Sequence, residues 1–229
     1  MIPANIAAPN SICAVIFDLD GTLVDTASEI AAALNSTLAE FQLPSLETKA
    51  VENLIGRGVH SMIERALQQV AAASVDVDVA VDRFEDHYAK TVGTEAELFE
   101  GVLEGLMLLR NEGFKMSVVT NKPRYFTEKL LERLAVKPLF VGLVAGDDGL
   151  RRKPHGDMLL AACVAMGSSA ETSLMIGDSD NDVLAARNAG CPVWCVPYGY
   201  NEGRGPETLA CDRTVATIEE AARFLTRRL

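Results

Sequence analysis

The sequence has few of the features that mark exported or membrane-spanning proteins. No lysine or arginine precedes Lys49, so the positively charged start of a secretory signal and the arginines of a transit peptide are not expected. No apolar run approaches the roughly 18 residues that a transmembrane helix needs; the run from Leu159 to Met166 is among the longest and is too short. These absences predict a cytoplasmic protein with no membrane partner.

Metal-binding and nucleic-acid-binding patterns are equally scarce. The five cysteines form no C-x-x-C pair, and the three histidines lie far apart. Buried free thiols are therefore favoured over a disulfide framework or a zinc site. The net charge of −11 argues against a nucleic-acid partner. Neither G-x-x-x-x-G-K-[ST] nor a G-x-G-x-x-G after the first apolar run is present, which argues against a common nucleotide-binding protein.

Short apolar runs recur along the chain and alternate with helical patterns. The runs lack polar alternation, as is typical of strands covered on both faces. They lie at 13–17, 116–119, 140–145, 174–176 and 192–196, with helical patterns at 102–111, 126–134, 158–166 and 182–188. This alternation predicts an α/β fold with a doubly wound parallel sheet.

About a hundred residues separate the first two apolar runs, far more than one crossover helix requires. Apolar stripes with helical spacing run from Ile30 to Phe41, from Val59 to Val70 and from Val77 to Tyr88, and Thr26 and Glu29 form a predicted capping box. The alternation over 75–81 also fits a strand, but the charged continuation over 82–88 favours a helix. We therefore predict a helical cap over residues 25–99, inserted into a core formed by 1–24 and 100–229 and placed to act as a lid.

Polar side chains follow the apolar runs where ligands bind in open parallel sheets, beyond the carboxyl ends of the strands. Mg²⁺ takes oxygen ligands, so Asp18 and Asp178 are candidates to share such an ion, while Asp20 would handle protons. Each signal alone has a structural alternative, such as a helix cap or a surface charge, but the ordered combination favours a site. The set comprises Asp18, Asp20, Thr120, Asn121, Lys153, Asp178 and Asp182.

Four segments carry a family resemblance: "FDLDGTLVD", "VVTNK", "RRKPHGDML" and "MIGDSDNDVLAARNAG". Together they resemble the haloacid dehalogenase superfamily of aspartyl-phosphate hydrolases. The resemblance implies a Rossmann-like core with an α-helical cap inserted after the first strand. It also implies Mg²⁺ as the cofactor.

The resemblance implies a role for each acidic residue. Asp18 would be the nucleophile that forms an aspartyl-phosphate, and Asp20 the general acid and then the general base. Mg²⁺ would be held by the carboxylates of Asp18 and Asp178 and the backbone carbonyl of Asp20. Asp182 would orient a metal-bound water from outside the ligand set.

The remaining implied roles concern the phosphoryl group. Thr120 and Lys153 would donate hydrogen bonds to its oxygens, and backbone N–H groups near Leu19 and Asn121 would complete the cradle. The dehalogenases of the superfamily lack an aspartate at the position of Asp20, so the resemblance favours phosphate chemistry. The first cap helix contains no lysine for phosphonate cleavage.

Substrate choice is expected to depend on the cap. The stretches "ALNSTLAEFQLP", "LIGRGVHSMIERAL" and "VPYGYNEG" resemble bacterial phosphoglycolate phosphatases, which implies hydrolysis of 2-phosphoglycolate to glycolate and phosphate. In that interpretation Arg57 binds the substrate carboxylate through its planar guanidinium. His60 and Arg65 are secondary candidates, and Arg65 also fits an exposed ion pair.

Other functions stay open at this point. Sugar phosphates and nucleoside monophosphates are alternative substrates, and a phosphoglucomutase-like phosphotransferase uses the same core residues. A catalytically silent phosphate-binding or interaction module would normally lose one of the acids, and all are present. The expected partner is a small phosphorylated metabolite, and the expected state is a monomer or a homodimer.

Overall fold

The computed structural model describes residues 12–227. The outer ends of the predicted core, 1–11 and 228–229, lie outside the described residues. The strands are β1 (Ala14–Phe17), β2 (Val24–Asp25), β3 (Glu97–Leu98), β4 (Lys115–Val119), β5 (Gly142–Val144), β6 (Ser173–Gly177), β7 (Val193–Cys195) and β8 (Arg213–Thr214). The helices are α1 (Ala27–Glu40), α2 (Thr48–Glu52), α3 (Val59–Gln69), α4 (Val77–Thr91), α5 (Val102–Asn111), α6 (Arg124–Arg133), α7 (Asp157–Met166), α8 (Asp180–Ala189) and α9 (Ile218–Thr226).

A six-stranded parallel sheet forms the centre of the molecule, in the order β5-β4-β1-β6-β7-β8. β1 lies between β4 and β6, with Val15 in register with both Met116 and Leu174. All four residues of β1 are fully buried, which explains its unbroken apolar sequence. Each predicted apolar run overlaps a strand, and the predicted parallel α/β fold is confirmed.

Helices cover both faces of this sheet. Successive side chains of β1 point to opposite faces: Ala14 and Ile16 belong to one hydrophobic cluster, and Val15 and Phe17 to another. The first cluster includes buried residues of α7 and α8, and the second includes buried residues of α5, α6 and α9. The sheet is therefore doubly wound, and its strand ends remain free to form a site.

Residues 25–99, the segment predicted as the cap and called the cap segment below, begin and end in a two-stranded antiparallel ribbon. Val24 of β2 pairs with Leu98 of β3, and Asp25 pairs with Glu97. Helices α1 to α4 lie between these strands in the chain, and α1 packs against α4. Residues 25 and 97 are thus neighbours in space although helices α1 to α4 separate them in sequence.

Two local predictions in the cap segment have opposite outcomes. The choice of a helix over a strand after residue 75 is confirmed, because α4 begins at Val77 and Asp76 caps it by accepting from the N–H of Asp78 at 2.9 Å. The capping box of Thr26 and Glu29 is wrong, since Thr26 makes no side-chain cap hydrogen bond. The reason is tertiary: both side chains bond to groups outside α1.

The cysteines of the described residues are all free thiols. Cys163, Cys191 and Cys195 are buried, as predicted, whereas Cys13 is exposed and Cys211 is partly exposed. None of the helices between residues 12 and 227 combines the length and the apolar character that crossing a bilayer would require.

Candidate active site

Three polar side chains meet where β4, β1 and β6 end. Thr120 directly follows β4, Asp18 follows β1 and Asp178 follows β6. These three strands are adjacent and parallel, so their carboxyl ends lie at the same edge of the sheet. All three side chains are buried. The structure therefore brings together residues that are up to 160 positions apart in the sequence.

Lys153 forms the centre of the charged cluster. Its Nζ donates to Asp18 Oδ1 at 2.6 Å, to Asp182 Oδ1 at 2.7 Å and to the Val119 carbonyl oxygen at 3.0 Å. Burial disfavours the charged ammonium, but the two carboxylates outweigh it and raise the pKa of Lys153 above its ordinary value. Lys153 is thus a fixed cation that holds one oxygen of the predicted nucleophile.

Asp18 has more negative charge around it than Lys153 balances. Burial raises the pKa of the Asp18 carboxyl well above its usual range, Lys153 opposes this effect, and Asp182 and Asp178 raise the pKa further. Burial also raises the pKa of Asp178 to about 6, with a further contribution from the charge of Asp182. A second cation near Asp18 and Asp178 would stabilise their ionised forms.

The arrangement of oxygen atoms fits a divalent ion. Carboxylate oxygens of Asp18, Asp178 and Asp182 lie within 4.8 Å of one another, and carboxylates are the ligands that hard cations prefer. Thr22 Oγ1 donates to Asp178 Oδ1 at 2.9 Å, and the Tyr200 N–H donates to Oδ2 at 2.8 Å. These hydrogen bonds orient the carboxylate of Asp178 towards the cluster.

Both carboxylate oxygens of Asp182 accept hydrogen bonds from protein donors. Its Oδ2 accepts from Ser179 Oγ at 2.7 Å and from the N–H groups of Ser179 and Asp178 at 3.1 and 3.2 Å, while Lys153 takes Oδ1. Ser179 and Asp182 form a capping box at the start of α8. Ser179, rather than Asp180 or Asn181, is therefore the capping residue of α8. Asp182 fixes Lys153 and the Asp178 loop in one position.

Asp20 lies beside Lys122, a lysine for which the sequence predicts no role. Lys122 Nζ donates to Asp20 Oδ1 at 2.9 Å, and Thr26 Oγ1 donates to the same oxygen at 2.8 Å. Lys122 is only 6% exposed. Its signal in the sequence is its position directly after Thr120 and Asn121, inside the quoted segment "VVTNK".

The predicted phosphate-binding residue Asn121 connects three parts of the site. Its Oδ1 accepts from the Lys153 N–H at 3.0 Å, and its Nδ2 donates to the Lys153 carbonyl oxygen at 3.0 Å and to the Gly56 carbonyl oxygen at 2.9 Å. Thr120 Oγ1 accepts from the Lys122 N–H at 3.2 Å. The loop after β4 is therefore held against both the Lys153 loop and the cap segment.

A cavity with about 470 Å³ of empty space, part of it open to solvent, lies between this cluster and the cap segment. The core contributes polar residues to its wall, and the cap segment contributes mostly apolar ones. The polar group is Asp18, Asp20, Thr120, Asn121 and Lys122; the cap group is Ile30, Ile55, Gly56, Gly58, Val59, Met62, Phe84 and Tyr88. The cavity can thus present a small ligand to Asp18 and Asp20.

The structure does not bring Arg57 and His60 into this cavity wall. The Arg57 side chain is half exposed, and its Nη2 donates to Glu202 Oε2 at 2.9 Å. His60 lies 3.5 Å from Asp78, and both side chains are exposed. Arg65 donates to the Asn53 carbonyl oxygen at 2.7 Å. A substrate-binding role for Arg57 and His60 stays a prediction.

The chain belongs to the haloacid dehalogenase-like hydrolase family, whose model matches residues 15–196. It is 39% identical to a phosphoglycolate phosphatase of Thiobacillus denitrificans, over 96% of this chain and 98% of the relative. It is 41% identical to a plasmid-encoded phosphoglycolate phosphatase of Cupriavidus necator, over 93% of each chain. The crystal structure of a predicted phosphoglycolate phosphatase from Haemophilus somnus superposes with a TM-score of 0.88 at 27% identity, covering 93% of this chain and 97% of that one.

These similarities decide several predictions. The resemblance to the superfamily and to phosphoglycolate phosphatases is confirmed, and so are the predicted fold class and the enzyme class, a phosphoric monoester hydrolase. A phosphorylated small molecule as the substrate class is supported by the same relatives.

Proposed function

We propose that this protein is a Mg²⁺-dependent phosphatase that hydrolyses 2-phosphoglycolate to glycolate and phosphate through an aspartyl-phosphate on Asp18. The observation that carries the proposal is the buried Asp18, bound to Lys153 at 2.6 Å and within reach of Asp178 at the carboxyl end of the sheet. The names of the relatives support the choice of ester.

In the first step a carboxylate oxygen of Asp18 attacks phosphorus. A bond between that oxygen and phosphorus forms, the bond between phosphorus and the glycolate oxygen breaks, and Asp20 gives its proton to the departing oxygen. Lys153 holds Asp18 Oδ1, which fixes the carboxylate for attack. Asp20 is held by Thr26 and Lys122, so its position does not depend on the substrate.

In the second step water attacks the phosphorus of the aspartyl-phosphate. Asp20 takes a proton from that water, the bond between phosphorus and Asp18 breaks, and phosphate leaves while Asp18 returns to a carboxylate. An apolar wall on the cap side of the cavity would exclude part of the bulk water from the reacting groups. This exclusion strengthens the interactions of Lys153 and Thr120 with a phosphoryl group.

Mg²⁺ would be held by the carboxylates of Asp18 and Asp178 and by the backbone carbonyl of Asp20. When bound, it would neutralise negative charge on the phosphoryl oxygens. Asp182 would orient a metal-bound water, because its carboxylate is fixed beside Asp178. The cap over residues 25–99 would act as the lid, with Arg57 and His60 as predicted contacts to substrate. A cytoplasmic monomer or homodimer completes the proposal.

The test is a screen of phosphorylated metabolites with and without Mg²⁺. We expect 2-phosphoglycolate to give a higher kcat/KM than hexose phosphates and nucleoside monophosphates, and chelation of the metal to abolish turnover. Asp18→Asn should lose at least about a thousandfold in kcat, because its amide cannot act as the nucleophile. Asp86→Asn, an exposed change on α4, should behave as wild type. A clear preference for a hexose phosphate, or turnover by Asp18→Asn at the wild-type rate, would contradict the proposal.

A further inference from the structure

Lys122 is the feature of the cavity that the family-based prediction leaves without a role. Among residues 12–227, it is the only lysine or arginine in the cavity wall, which it shares with Asp18 and Asp20. The cap side of the wall supplies no cation to this space. A ligand that carries a second negative charge therefore has one cationic partner here besides the groups that would bind its phosphate.

The ammonium of Lys122 is held in place from two sides. It donates to Asp20 Oδ1 at 2.9 Å and lies 4.7 Å from the centre of the Tyr88 ring, over its face. A cation over an aromatic ring is stabilised by the negative charge of the ring face. An ammonium group has three N–H donors, and Asp20 accepts one of them, so donors remain for a ligand.

The other acid near this ammonium is already engaged. Glu29 Oε1 accepts from the Tyr88 hydroxyl at 2.7 Å, and Oε2 accepts from the Gly93 N–H at 2.7 Å. Glu29 therefore holds the ring that Lys122 faces. In the part of the chain that the structure describes, Lys122 Nζ donates only to Asp20, and Glu29 acts on it through charge. The other N–H groups of the ammonium can therefore reach an anionic ligand.

Arg57, the predicted carboxylate partner, has a different environment. Its guanidinium is paired with Glu202 and half exposed, whereas the Lys122 side chain is 4% exposed. An ion pair with a buried, fixed cation is screened less by water than one with an exposed cation. The geometry thus favours Lys122 over Arg57 as the partner of a charge inside the cavity.

We propose that Lys122 binds the carboxylate of the substrate and sets the preference for short phosphate esters that carry a second negative charge. This inference rests on the proposed phosphatase function and names the residue that would determine its specificity. The phosphoryl end of the ligand would lie against Asp18, and its carboxylate end against Lys122, in the same cavity.

The experiment compares two esters of similar size, 2-phosphoglycolate and ethyl phosphate, of which only the first has a carboxylate. A hydrogen bond to a charged group is worth enough to change kcat/KM roughly tenfold to a hundredfold. Lys122→Met should therefore lower the ratio of kcat/KM for 2-phosphoglycolate over ethyl phosphate by at least about tenfold, mainly through KM. Lys122→Arg, which keeps the charge, should retain part of the ratio. Lys115→Met, a change of an exposed lysine that donates to the Met166 carbonyl, is the matched control.

The outcomes separate the alternatives. Equal losses of kcat/KM on both esters would show that Lys122 acts only through Asp20. No loss on either ester would also overturn the assignment. Arg57→Met is measured in parallel, and a selective loss there but not in Lys122→Met would assign the carboxylate to Arg57. Wild type without a preference for 2-phosphoglycolate would overturn the proposed substrate itself. Circular dichroism checks that Lys122→Met folds. If it does not fold, Lys122→Gln is used in its place.

Discussion

Removing the ammonium of Lys153 is expected to destabilise the folded state and to slow the catalytic step. Its Nζ compensates Asp18 and Asp182 at 2.6 and 2.7 Å, and its side chain is 2% exposed. Lys153→Met keeps the length and the apolar stem but leaves two buried carboxylates without their cation. Breaking a buried ion pair by removing one partner costs about 3–5 kcal/mol. For a chain of this size, this cost corresponds to a fall of about 10 °C in Tm.

The loss of stability in Lys153→Met should depend on pH, and the direction of this dependence follows from the pKa of Asp18. Burial already raises the pKa of this carboxyl in the folded state, and Lys153 is the main group that opposes the rise. Without Lys153 the folded pKa goes further above the unfolded value of about 3.9. A carboxyl with a raised folded pKa stabilises the fold below its unfolded pKa, and this contribution is lost as the pH rises through the folded pKa. The deficit of the variant should therefore be larger at pH 8 than at pH 5.

Urea denaturation followed by circular dichroism, without divalent ions, measures this deficit at both pH values. Lys115→Met serves as the control for loss of a lysine that is not buried. A deficit under about 1 kcal/mol, which is the size expected of an exposed pair, would refute the argument. So would a deficit that grows as the pH falls.

Three further predictions concern the walls of the site. Tyr88→Phe removes the hydrogen bond to buried Glu29 and should lower the free energy of unfolding by about 1–3 kcal/mol, measured by urea denaturation. Because the pKa of Asp178 is raised to about 6 without metal, protons should compete with Mg²⁺ below that pH; calorimetric titrations at pH 5.5 and 7.5 should show weaker binding at the lower pH, and equal affinities would contradict this. Gly21→Ala places a Cβ 2.6 Å from Asp178 Oδ2 and should lose metal-dependent activity, whereas Gly113→Ala, with a similar positive φ and no atom within 4 Å, should lose only stability.

Much of the core was predictable because the signals are local. Strands buried on both faces need continuous apolar runs, and β1, β4 and β6 supply them. The short edge strand β8, with both residues exposed, has no such run and was not predicted. Helix α9 was not predicted either. Thr217 caps it and accepts from the Glu220 N–H at 3.0 Å, and a threonine three positions before a glutamate is a sequence pattern that indicates the start of a helix.

The parts of the site that escaped prediction depend on contacts between distant segments. The role proposed for Lys122 depends on its contacts with Asp20, which lies 102 positions before it in the core, and with Tyr88 in the cap segment. The pairing of Arg57 with Glu202 spans 145 positions. No periodicity or local spacing encodes such pairs. The acids after each strand, in contrast, are predictable, because parallel strands bring their ends to one edge of the sheet.

The ribbon of β2 and β3 makes the cap segment exchangeable in principle. Its two ends leave the core as paired neighbours, Asp25 opposite Glu97, about 5 Å apart as in any antiparallel pair. Any other folded unit whose termini lie that close would fit the same junction without moving β1 or β4. Because this segment also forms the apolar side of the cavity wall, its replacement would change that wall while Asp18, Lys153 and Asp178 keep their places in the core.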